Sequence, residues 1–138
     1  MRMMIDLAAH YGEGPMLLRE IAKWEEISEK YLSNLVNPLK AMGLVEATRG
    51  VHGGYVLGKA PTEITMKEII DVLEGPLCLV DCVEKPVACN RASVCIARDL
   101  WSEAAEGMSR IFRKYTLADM VMRQKAKREN LTHDNYMI

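Results

Sequence analysis

Apolar residues recur at helical steps along most of this chain and alternate in a strand-like way in one stretch. Residues 3–11 (MMIDLAAHY) read as a first helix, and Gly12, Gly14 and Pro15 make the turn after it. Leu17, Leu18, Ile21 and Ala22 keep helical spacing and predict a second helix ending near Trp24 or Glu25. Ser28 is an N-cap for a third helix whose apolar stripe is Leu32, Leu35, Val36 and Leu39. Its opposite face is polar: Lys30, Ser33, Asn34, Asn37 and Lys40. Pro38 removes a backbone donor and should kink or tighten this helix near its end, which Gly43 closes.

The period then changes. LVEATRG and GGYVLG flank a glycine-rich tip and predict a β-hairpin over 44–57. Thr65 with Glu68 has the spacing of a capping box, Ile69, Ile70, Val72 and Leu73 follow as a fourth helix, and Gly75-Pro76 stops it. Farther on, Ala97, Trp101, Ala104, Met108, Ile111 and Tyr115 alternate steps of four and three. Such a heptad seam is buried against another helix. Thr116 and Asp119 cap a last helix, expected to be short and to end by Val121, and the final ten residues read as frayed. The fold class expected is mainly α with one small β-hairpin.

Composition narrows the class. At 138 residues, 49% of them hydrophobic, the chain supports one domain with a helical appendage. No run reaches the ~18 apolar residues of a membrane span and no signal-peptide pattern opens the chain, so a cytoplasmic location is expected. The net charge of −1 hides an uneven distribution. Between Arg110 and Arg128 there are seven basic residues against Asp119 alone, a partner surface or a solvated face. Three histidines and these loops assemble no nucleophile, base and oxyanion site, so an enzyme is not expected.

Helix, turn, helix and glycine-tipped hairpin, in that order, make a winged helix-turn-helix. A helix in the major groove needs short polar side chains on its outer face, where Asn reads adenine through two groups. Ser33, Asn34 and Asn37 have that character, with Lys30 and Lys40 placed for phosphates. Arg49 and His52 at the hairpin tip suit the DNA backbone or minor groove, and Gly50, Gly53 and Gly54 permit close approach.

Cys82, Cys89 and Cys95 lie in CVEKPVACNRASVC, a polar stretch with little apolar surface to bury a thiol. In a reducing compartment such thiols are better read as ligands or sensors than as disulfides. Iron–sulfur clusters take mostly thiolate ligands and usually four. Cys78, Asp6, His10 and Asp81 are alternatives for the fourth, although Cys78 sits in apolar PLCLV and reads as a packed thiol. Zinc is disfavoured by the wide spacing, since structural sites prefer pairs such as C-x2-C. A metal-free thiol switch stays open.

The stretch from LLREIAKWEEISEKYLSNLV through RGVHGGYVL, then ITMKEIIDVLEGP, the three cysteines, RDLW and TLADM resembles the iron–sulfur winged-helix regulators, the Rrf-two family of IscR, NsrR and CymR. The resemblance implies a homodimeric DNA-binding regulator, most often a repressor, on a palindromic double-stranded operator. It implies a [2Fe–2S] or [4Fe–4S] cluster on Cys82, Cys89 and Cys95. It adds Ser28 and Tyr31 of the ISxxYL start to the DNA-facing set and makes the heptad helix the dimer interface. A metabolic-enzyme partner, as for CymR, is a further expectation. The implied organisation is a winged helix-turn-helix over 1–75, a cluster-binding segment over 76–96, a dimerisation helix with a short C-terminal helix over 97–128, and a flexible tail over 129–138.

Departures from the family are specific. Arg98 stands where the IscR branch has a ligating histidine, Ser33 replaces a recognition-helix glutamate, and Glu26 occupies a turn position often held by Gly. The family's basic segment ahead of the first helix has no counterpart in these residues.

Overall fold

The structure, a computed structural model, describes residues 1–134, with side chains described through residue 130. Seven α-helices and one hairpin follow in chain order: α1 (Arg2–Ala9), α2 (Leu18–Trp24), α3 (Glu29–Ala41), β1 (Val45–Thr48), β2 (Gly54–Leu57), α4 (Met66–Glu74), α5 (Asp81–Glu84), α6 (Ile96–Lys114) and α7 (Leu117–Asp134). Ser28 starts α3 by accepting the Tyr31 N–H on its hydroxyl at 3.4 Å. The helix runs through Pro38 to Ala41, where only the Asn34 carbonyl loses its helical donor. Gly43, at φ +69°, then turns the chain into β1.

The two strands pair antiparallel with Val45 opposite Leu57 and Thr48 opposite Gly54. Met16 adds a bridge to the other edge of β2, exchanging backbone hydrogen bonds with Tyr55 at 3.0 and 2.8 Å. The hairpin is thus anchored on both sides. Its inner end packs with Leu32, Leu39 and Leu44, which join Met4, Ile21, Ile64, Ile69 and Leu117 in one fully buried core. Among the described residues that core contains no buried polar or charged residue.

Two capping boxes face each other where α4 and α7 begin. Thr65 and Glu68 cap α4, and Thr116 and Asp119 cap α7 in the same way. Between them the chain forms a one-bridge clasp: Leu117 N–H donates to the Ile64 carbonyl and Met66 N–H to the Tyr115 carbonyl, each at 2.9 Å. The clasp ties the C-terminal end of α6 to the winged unit.

The last helix differs from the expectation. It continues past Val121 to Asp134, because Met122, Arg123, Gln124, Lys125, Ala126 and Lys127 are good helix formers and no Gly or Pro follows. The expected tail over 129–138 is therefore helical as far as Asp134, and residues 135–138 lie outside the described residues. Packing of Met120 and Val121 against the core directs α7 along α1.

Glu26, between α2 and α3, adopts φ +52°. A non-glycine residue there loses roughly 1–2 kcal/mol to its Cβ contact, partly offset by the greater unfolded-state freedom of Gly. Glu26→Gly should stabilise the fold by roughly 0.5–1 kcal/mol, read as a higher urea midpoint. Glu26→Val should lower it.

Candidate nucleic-acid interface and cysteine site

The α3 stripe turns Leu32, Val36 and Leu39 inward and leaves Lys30, Tyr31, Ser33, Asn34, Asn37 and Lys40 exposed. Residues 30, 33, 34 and 37 follow steps of three and four, so they share one helix face. Ser28 is exposed, but its hydroxyl serves the start of α3 as a cap. Arg49 and His52 stand at the wing tip beside Val51, all exposed. Gly53 and Gly54 have an intrachain reason that the sequence did not reveal. A Cβ on Gly53 would lie 2.5 Å from the Thr48 carbonyl oxygen, and one on Gly54 2.5 Å from that of Met16. Close approach at these two positions is therefore to the chain's own backbone.

The cysteine segment is not a plain loop. Cys82 lies on α5, a 3-10 turn over Pro86–Ala88 precedes Cys89, and Cys95 occupies the N-cap position of α6 without a side-chain cap bond. All four cysteines are free thiols, with Cys89 exposed. The half-buried Cys78 thiol donates to the Val80 carbonyl at 2.8 Å. Arg98 links the two ends of the segment: its Nε donates to the Cys82 carbonyl at 2.9 Å, and its backbone N–H donates to the Cys95 carbonyl at 3.1 Å. The same side chain lines a cavity of about 360 Å³ with Cys89 and Ser93.

Among the described residues no three His, Cys, Asp or Glu side chains converge on one point. The donor chemistry, three accessible thiols within fourteen residues, fits an iron–sulfur group, and the segment has to draw in for all three to ligate it. Asp81 is exposed beside Cys82 in α5. Asp6 and His10 are engaged elsewhere. His10 bonds Glu13 at 2.6 Å and stacks on Trp24 with ring centroids 6.2 Å apart. Trp24 is exposed and makes that ring contact.

Asp6 faces Glu25 at the end of α2, and Glu25 is paired with Arg2 at 3.0 Å. The Asp6 Oδ2 atom is buried and has no hydrogen-bond partner among the described residues. Burial first, then the Glu25 charge and hydrogen bond, push its carboxyl up to about 6, while Arg128 and His10 pull the other way. The folded chain therefore holds this proton more tightly than the unfolded chain does. The associated stability is complete below the ordinary carboxylate value of 3.8 and is lost as pH rises through about 6. Asp6→Asn should flatten that part of the Tm-against-pH curve and raise Tm at pH 7.

On α6 only Ala105 is buried. Ala97 and Trp101 are exposed, Ile111 is 57% exposed, and Ala104, Met108 and Tyr115 are half-buried. Ile96 (82% exposed) and Leu100 (64%) widen this stripe beyond the heptad positions. Their four-residue spacing was the available signal. A single chain leaves the face uncovered.

Comparison with known proteins places this arrangement. A family model described as Rrf2, iron-dependent transcriptional regulator, matches residues 1–123. Protein rrf2 of Nitratidesulfovibrio vulgaris is 38% identical over 120 residues, 87% of this chain and 80% of that protein. The structure of CymR, the global cysteine regulator of B. subtilis, superposes with a TM-score of 0.73 at 40% identity, over 88% of this chain and 89% of that one. T. potens IscR gives 0.74 at 34% identity, over 89% and 80%. These relatives are regulators rather than enzymes, and this chain belongs to the Rrf2 family of transcriptional regulators.

Proposed function

We propose that this regulator acts in the cytoplasm as a homodimeric repressor whose DNA affinity is set by an iron–sulfur cluster on Cys82, Cys89 and Cys95. The observation that carries the reading is position: the three free thiols span the connection between α4 of the winged unit and α6, whose apolar face is uncovered. Ligation orders that connection and biases the separation of two α3 helices, which must meet half-sites about 34 Å apart or a multiple of it. A coupling of roughly 1–3 kcal/mol changes affinity about 5- to 150-fold. The cluster itself supplies sensitivity to oxidants, nitric oxide or iron supply. Asp81, adjacent to Cys82 in sequence, and Cys78 are the alternatives for a fourth ligand within the segment.

The test is absorption between about 300 and 600 nm on protein purified without oxygen, with iron and sulfide counted per chain. Cys89→Ala should hold no cluster and still sediment as a dimer. Loss of both together would refute the division between cysteine segment and dimer helix. A second reading, a metal-free thiol regulator gated by an enzyme partner, draws on the unconverged thiols and on the likeness to a cysteine regulator. Colourless protein that resists reconstitution but binds DNA with a steep salt dependence favours it.

A further inference from the structure

We infer that Arg98 is a positioning residue that fastens the cysteine segment shut at its ends; the inference rests on the thiolate-site reading. One residue bonds the carbonyls of both outer cysteines, Cys82 through Nε and Cys95 through its backbone N–H. The first bond spans sixteen residues and is the side-chain tie between the start of α6 and α5. The backbone bond belongs to any residue at this helical position, so the side chain supplies the specific part. With the ends held, only the stretch bearing Cys89 has to move inward, and the loss of chain freedom on closing the loop has already been met. Arg98 also lines the open depression that holds Cys89, so its permanently charged guanidinium bonds the Cys82 carbonyl and borders the same depression as Cys89. Three thiolates on one metal concentrate negative charge there, and a fixed cation favours that state.

Neighbouring cations do not duplicate the geometry. Lys85 and Arg91 are exposed on the segment itself. Arg91 provides the measurement instead, since trypsin cuts the Arg91–Ala92 bond, whereas Pro86 blocks cleavage after Lys85. In metal-free, reduced protein, Arg98→Ala should speed cleavage at Arg91 about five- to tenfold, the worth of one half-exposed charge-assisted hydrogen bond. Cobalt(II), titrated into the same reduced proteins, should show its thiolate charge-transfer band with affinity about tenfold weaker in Arg98→Ala. Arg98→Lys, which keeps the charge and can still reach a carbonyl, should recover part of both effects.

Tm measured alongside separates fastening from general unfolding: the expected change is small, and Arg98→Lys carries the test if the alanine variant does not fold. Unchanged cleavage and unchanged cobalt affinity would overturn the fastening. Faster cleavage in Arg98→Ala, with no thiolate–cobalt band in either protein, would support the fastening and sink the thiolate-site reading.

Discussion

Asn34→Ala combined with Asn37→Ala should abolish discrimination between operator and random DNA while sparing most non-specific binding. Both side chains are exposed on the α3 face opposite Leu32, Val36 and Leu39, so their loss leaves the core untouched. A bidentate side-chain contact to a base is worth about 1–3 kcal/mol of discrimination. Two of them together amount to at least about thirtyfold in specific affinity. The slope of log affinity against log salt should stay near that of the parent protein, because neither Asn neutralises a phosphate. Lys30→Ala and Lys40→Ala should do the reverse, each lowering the slope by about 0.9 with little change in sequence preference. Parallel loss of specific and random binding in the Asn double variant would remove α3 from base readout.

Gly58→Ala should be among the most destabilising single substitutions in the protein. Gly58 follows β2, and its N–H donates to the Leu44 carbonyl at 3.0 Å. A Cβ there would lie 2.1 Å from the Gly43 carbonyl oxygen, which belongs to the turn leaving α3. The obstacle is backbone held from both sides by the hairpin and the Leu39–Leu44 hydrogen bond, so it cannot swing aside like a side chain. Overpacking of this kind costs about 1–3 kcal/mol and sometimes more, against a total of about 5–15 for a domain. Denaturant unfolding should show a free energy lowered by that amount, read as a lower midpoint at unchanged slope. The wing should also lose its orientation, so operator affinity falls even where the chain remains folded. A variant with the parent midpoint would show that the α3 turn yields more easily than its packing indicates.

The elements most legible in the sequence are those whose signal is local. Ser28, the Thr65–Glu68 pair and Gly43 mark their boundaries by the hydrogen bonds and φ values that those residue types supply. The α3 stripe follows from its period, and so does the exposed face that faces DNA in the proposed reading. The end of α7 was less legible because a cap marks where a helix starts, whereas nothing after Val121 marks a stop. The short helical turns of the cysteine segment leave no mark in its polar sequence, because single turns of helix need no amphipathic stripe.

Other features have no local signal at all. Nothing near Met16 announces its bridge to Tyr55, nor does Ile64 announce the clasp with Leu117, since each joins backbone groups far apart in sequence. The glycines of the wing illustrate both levels. Their type was evident as a turn, but the reason Gly53 and Gly54 admit no side chain is the carbonyl of another residue packed against them.

From the sequence alone came the winged helix-turn-helix order, the polar face of α3, the three-thiol segment and the apolar seam of α6, because each depends on residue type and spacing along one element. Tertiary structure alone decided which carbonyl the Arg98 side chain reaches, that Asp6 is held against Glu25, and that α6 is clasped to the winged unit at its far end. Those depend on distances between residues that only the packed core brings together.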